Sequence, residues 1–184
     1  MQILTISGSL RAHSANTAVL EAIRLVAPSD TSVTRYAGPG ALPPFNPDDD
    51  GEIPPREVAA LRAAVARADA VLFVTPEYNR SVPGMLKNAI DVGSRPYGQS
   101  SWEGKPGAVI SVSPGAIGAY GANHHLRQSM VFLNVPMMQQ PEAYVGGAAN
   151  LFDDKGQLAN ASTREFLGKF MQAFATWIER NAKK

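Results

Sequence analysis

The 184-residue chain is 45% hydrophobic and 18% charged, a globular balance that fits a single domain, 1–184, with a full core. Its 17 Lys and Arg against 16 Asp and Glu leave a formal charge of +1, which gives no case for nucleic acid as a partner. Having no cysteine, it is excluded from disulfides, thiolate metal sites and cysteine nucleophiles. No apolar stretch approaches the roughly 18 residues that span a bilayer, and a strand pattern follows Met1 directly, without a signal-peptide layout. A cytoplasmic protein without membrane contact is expected.

Residues 3–7, Ile-Leu-Thr-Ile-Ser, read as a short buried strand. Gly8-Ser9-Leu10-Arg11-Ala12-His13-Ser14-Ala15-Asn16-Thr17 follows, and residues 17–27 then put Val19, Leu20, Ile23 and Val26 on one helical face. Such a strand, turn and helix start suits a phosphate, because the first helical turn offers unpaired N–H groups and the positive end of a dipole. Ser9, Ser14, Asn16 and Thr17 add neutral donors, and Arg11 adds a permanent forked cation. An ordinary capped βα turn has the same outline, but a cap needs one of these side chains, not all.

Residues 32–36 alternate weakly as a second strand, and residues 38–55, rich in Pro, Gly and Asp, read as a long surface loop. Helix returns over 56–68 with Val58, Leu61 and Val65 inward. Residues 69–75 are apolar on both faces, as a central parallel strand requires. The next loop, Pro76-Glu77-Tyr78-Asn79-Arg80-Ser81-Val82-Pro83-Gly84, is stiffened by two prolines. Its amides and Asn79 suit the polar edge of a flat heterocycle, with Tyr78 over a face.

A short helix is expected over 85–93 and a strand over 107–113, then the loop Ser113-Pro114-Gly115-Ala116-Ile117-Gly118-Ala119, whose glycines permit close backbone approach. A helix over 120–133 and a last strand over 135–139 follow. Ser162-x-x-Glu165 reads as a capping box, opening a helix that buries Phe166, Leu167, Phe170, Phe174, Trp177 and Ile178. The alternation implies a parallel sheet covered on both faces, with ligands beyond the carboxyl ends of its strands.

The segment 8–17, together with Pro-Glu-Tyr-Asn…Ser-Val-Pro-Gly…Leu-Lys-Asn-Ala-Ile-Asp over 76–91, resembles the NADPH-dependent FMN reductases, most of all the bacterial quinone and chromate reductases. The similarity runs through the third loop and His125-Leu126-Arg127-Gln128, covering most of residues 1–142. The resemblance implies an α/β, flavodoxin-like fold, a doubly wound five-stranded parallel sheet of order 2-1-3-4-5. It also implies non-covalent FMN, NADPH or NADH as electron donor, and a homodimer or homotetramer. It places the FMN phosphate at Ser9, Arg11, Ser14, Asn16 and Thr17, and the ribityl chain and ring against Pro76, Glu77, Tyr78, Asn79 and Arg80. Ser113 and Gly115 would close the far side. Arg80 stands where an aromatic or small residue is more usual, and Gly118-Ala119 where paired glycines are commoner.

The implied chemistry belongs to the cofactor: hydride passes from the nicotinamide to flavin N5, then two electrons go to a small-molecule acceptor. Quinones lead, with free flavin, chromate, azo or nitro compounds as further candidates, and no side chain is needed as catalytic nucleophile or general acid. Main-chain N–H groups over 77–80 are expected to stabilise the reduced, anionic flavin, and Arg11 or Arg80 to meet a nicotinamide 2′-phosphate. A flavodoxin-type electron carrier is the alternative, disfavoured by the near-neutral charge and by Arg11. Zero cysteines dismiss a Cys-x5-Arg phosphatase, and Gly-x-Gly-x-x-Gly does not follow the first strand. His124 and His125 point about 100° apart on a helix and cannot chelate one ion. Asp48-Asp49-Asp50 reads as a polar loop tip, and no metal site is expected. Lys87 only echoes a P-loop lysine, and Arg127 with Glu142 is a candidate subunit-interface ion pair by the family pattern.

Overall fold

Strands β1 (Gln2–Ser7), β2 (Ser32–Arg35), β3 (Ala70–Thr75), β4 (Gly107–Val112) and β5 (Ala143–Val145) form one sheet in the order β2-β1-β3-β4-β5. All four pairings are parallel, giving the expected doubly wound, flavodoxin-like topology. The computed structural model describes residues 1–51 and 53–182. β3 and β4 are buried along their whole length, which is why β3 reads as a continuous apolar run and β4 as a mostly apolar one.

Helices α1 (Ala15–Val26) and α5 (Ala161–Asn181) cover one face; α2 (Arg56–Arg67), α3 (Gly84–Gly93) and α4 (Tyr120–Phe132) cover the other. Leu72 and Val74 face the first layer while Val71 and Phe73 face the second, the period of two that a strand dictates. Leu167, Phe170, Phe174 and Ile178 of α5 enter the first core, each side chain contributing about 1.5–3 kcal/mol by burial. Trp102 is fully buried in the second core; its Nε1–H donates to the Ile90 carbonyl at 2.9 Å. Gly93 makes room for it, since a Cβ there would lie 2.6 Å from the indole.

Two local readings are corrected. The last strand is Ala143–Val145, not 135–139: the earlier segment makes one bridge, Met137 to Gly107, before the chain turns at Pro141. Pro136 and Pro141 lack the N–H a continuing ladder needs. Helix α5 is capped by Asn160 rather than by a box at Ser162; Asn160 Oδ1 accepts the Thr163 N–H at 2.9 Å. Glu165, free of any capping role, pairs along the helix with Lys169 at 2.7 Å. The loop 38–55 contains two short 3-10 turns and is tied down by Asn88, which bonds Phe45 N and Pro43 O.

The strand order reverses between β1 and β3, so the loops leaving these two strands diverge around a crevice at their carboxyl ends. Both are the loops that the sequence marks as unusual.

Candidate functional site

The first loop, 8–14, is braced from within. Gly8 N–H donates to the Val74 carbonyl at 2.8 Å, Ser9 N–H to Ser7 Oγ at 3.1 Å, and Arg11 N–H to Ser9 Oγ at 3.4 Å. Ser14 caps α1 by accepting the Asn16 N–H at 3.2 Å. Ser9, Ser14 and Asn16 are buried, whereas Arg11 is exposed. One cap therefore uses one side chain, and the rest remain to be explained.

Two of the remainder are conspicuous. Asn16 Oδ1 and Thr17 Oγ1 are buried and have no hydrogen-bond partner among the described residues. Buried polar atoms are nearly always paired; the Thr17 hydroxyl beside the helix N-terminus is able to donate to a phosphate oxygen, whereas the Asn16 carbonyl oxygen, an acceptor, suits a ligand hydroxyl. An exposed arginine on the same loop adds the charge that a phosphate requires. The residues present thus fit the phosphate end of a flavin mononucleotide.

The second loop folds back as a two-residue hairpin. Tyr78 N–H donates to the Ser81 carbonyl, and Ser81 N–H to that of Tyr78, both at 3.0 Å. Between them Asn79 (φ 51) and Arg80 (φ 65) adopt left-handed backbone, as a type I′ turn requires. The loops touch: a Cβ on Gly8 would lie 2.9 Å from Pro76 Cδ. Pro76 is buried at this seam, while Tyr78, Asn79 and Arg80 are exposed at the tip. The Asn79 and Arg80 N–H groups have no partner among the described residues. Glu77 behaves differently: its Oε2 accepts the Ala122 N–H of α4 at 3.0 Å and its Oε1 meets Arg80 at 3.4 Å.

The third loop packs on β5. Ser113 N–H donates to the Val145 carbonyl at 3.0 Å, and Ser113 Oγ to the Gly115 carbonyl at 3.2 Å. Gly118 (φ 60) lies so close to Tyr144 that a Cβ would sit 2.6 Å from its carbonyl carbon. Beside this loop the rings of Tyr120, His124 and Tyr144 cluster, with centroids 4.2 to 6.0 Å apart.

A family model of NADPH-dependent FMN reductases matches residues 1–150. The chain belongs to this family. A quinone reductase of Pseudomonas putida is 57% identical over 179 residues, covering 97% of this chain and 95% of the relative. A 2-hydroxy-1,4-benzoquinone reductase of a Burkholderia species is 44% identical over 97% of this chain and 96% of its own. Among solved structures, the flavoenzyme NAD(P)H:(acceptor) oxidoreductase FerB of Paracoccus denitrificans superposes with a TM-score of 0.91 at 40% identity, covering 99% of both chains.

Several residues near the site escape sequence reasoning because their partners are remote in the chain. Asn123 donates to Ser111 Oγ at 3.2 Å and accepts from Arg127 Nε at 2.9 Å. Arg127 also donates to the Met138 carbonyl at 2.8 Å, in a partly buried network behind the third loop. Within the single chain no ion pair joins Arg127 to Glu142 among the described residues, and a pair between two subunits is a separate matter. His125 Nδ1 lies 3.0 Å from Ser81 Oγ, and His124 Nε2 lies 2.8 Å from the Tyr144 hydroxyl. The adjacent histidines therefore serve different elements, His124 strand β5 and His125 the second loop, and the described residues hold no cluster able to bind a metal. Lys87 pairs with Asp91 on the surface of α3 at 2.8 Å, and Asp50 with Arg62 of α2 at 2.9 Å.

Proposed function

We propose that this protein is a single-domain, FMN-dependent NAD(P)H oxidoreductase that reduces quinones by two electrons. The observation that carries the reading is the orphaned Thr17 Oγ1, a hydroxyl able to donate, at a helix start, next to the loop that bears Arg11. Ser9, Arg11, Ser14, Asn16 and Thr17 would hold the phosphate. Pro76, Tyr78, Asn79 and Arg80, with the main chain of Glu77, would line the ring and ribityl chain. Ser113 and Gly115 would close the far side.

Bound FMN supplies hydride acceptance from reduced nicotinamide and two-electron donation to the acceptor. The chain's own work is to bind, orient and leave one side open. The unpaired N–H groups of Asn79 and Arg80 would donate to the polar edge of the ring, where negative charge develops on reduction. Tyr78, exposed at the hairpin tip, would cover part of a face. Arg80, exposed and only loosely held by Glu77, would meet anionic groups on the donor. The family and the quinone-reducing relatives support this acceptor class.

No helix among the described residues is long and apolar enough to cross a membrane, and the reading is of a cytoplasmic enzyme. A homodimer or homotetramer completes it, supported by the exposed Tyr120, Val131 and Phe132 on α4.

Calorimetric titration of the flavin-free protein with FMN and with riboflavin tests the phosphate assignment. FMN is expected to bind about a hundredfold tighter, roughly 2.7 kcal/mol, within the range of one or two charge-assisted hydrogen bonds. Equal affinities would remove the first loop from the site.

A further inference from the structure

We propose that Glu77 is a positioning residue, whose carboxylate fastens the 78–81 hairpin to the start of α4 and so fixes the shape the hairpin offers a ligand. The proposal rests on the FMN reading above for the identity of that ligand. Helix α4 begins at an N-cap, Ala119, that is left-handed and has no side chain to serve the first N–H groups. One of those donors, the Ala122 N–H, is satisfied from another loop. Glu77 is only 11% exposed at its side chain, turned into the helix start, where Oε2 takes the Ala122 N–H. A carboxylate there also meets the positive end of the helix dipole.

The helix start lies close against the hairpin, so a side chain at position 121 would push on the Glu77 carboxylate. A Cβ on Gly121 would lie 2.9 Å from Glu77 Oε2 and 3.0 Å from the Arg80 carbonyl oxygen. The other carboxylate oxygen reaches Arg80 across the turn. The second arm of the hairpin is held from the next turn of the same helix, by His125 Nδ1 at Ser81 Oγ. One helix thus grips both arms of a turn whose two central residues sit in left-handed backbone, a conformation that costs non-glycine residues free energy unless the surroundings impose it. Glu77 belongs to the binding motif by position, but its side chain works through the hairpin.

The test compares Glu77→Ala, Glu77→Gln and Gly121→Ala by amide hydrogen exchange at Tyr78 and Ser81, by FMN titration and by the visible spectrum of bound flavin. Glu77→Ala and Gly121→Ala should each speed exchange at both amides at least tenfold, weaken FMN about tenfold and alter the bound spectrum. Glu77→Gln keeps an oxygen for the Ala122 N–H and should restore most of all three. The double variant should be no worse than the poorer single one, because both lose the same contact. Unchanged exchange in Glu77→Ala, a Gln variant no better than Ala, or additive effects would overturn the proposal. Should Glu77→Ala not fold, Gly121→Ala decides it from the helix side. If the unaltered protein takes up no FMN, the functional reading falls, while exchange at the two amides still decides whether Glu77 holds the hairpin.

Discussion

The hydroxyl of Tyr144 and Nε2 of His124 lie 2.8 Å apart, joining β5 to α4 beside the third loop. Burial first, and the neighbouring Glu142 carboxylate second, push the Tyr144 phenol up to about 12, against a smaller opposing effect of Arg127. A phenol whose folded pKa lies above its ordinary value near 10 stabilises the fold below that value. The contribution is lost as pH rises toward 12. Ultraviolet titration of tyrosinate in the native protein and in Tyr144→Phe should differ by one group ionising near 12. A difference centred at 10 would contradict this environment.

Thr17→Val separates the two states of the first loop. Both side chains are β-branched, so the helix start is little disturbed, but the orphaned hydroxyl disappears. The flavin-free protein should be unchanged or more stable by about 1 kcal/mol, since an unpaired buried hydroxyl is lost. FMN should bind more weakly by a similar amount. Urea denaturation and FMN titration read the two signs, and a parallel change in both would contradict the assignment.

Arg11→Ala removes the one cation of that loop and should weaken FMN by about 1.5–3 kcal/mol, the range of a hydrogen bond to a charged group. Riboflavin, lacking the phosphate, should bind the variant and the native protein alike. An equal loss for both ligands would mean that the arginine supports the fold instead.

Arg80→Gly should raise the urea midpoint by an amount equivalent to about 1 kcal/mol, because glycine adopts φ 65 without strain. The ion pair given up is 3.4 Å long and its arginine is 78% exposed, so it contributes little. A lowered midpoint would show that the guanidinium, rather than the turn, dominates at this position.

The central elements were legible because their signals are local. β3 shows its burial as an unbroken apolar run, and the βα turn at 8–17 carries its excess of donors within ten residues. The sequence alone misplaces β5 because Val135 to Gln139 and Ala143 to Val145 are both short and apolar. Only the pairing with Ile110 to Val112 separates them, and that pairing is non-local. The cap at Asn160 was hidden by a plausible box two residues later. Within the site, Glu77 reads from sequence as a ligand contact. Its turn toward Ala122, 45 residues on, lies against a glycine at 121 that no local rule singles out. Ser111 and Asn123 are likewise silent in the sequence, being polar residues on a strand and a helix whose partners come from packing.

The most direct measurement is the visible spectrum of the FMN-loaded protein under anaerobic conditions, recorded before and after addition of NADPH and then of a quinone. Bleaching within seconds and recovery on adding the quinone are expected. Bound FMN that NADPH leaves oxidised would contradict this and identify an electron carrier instead.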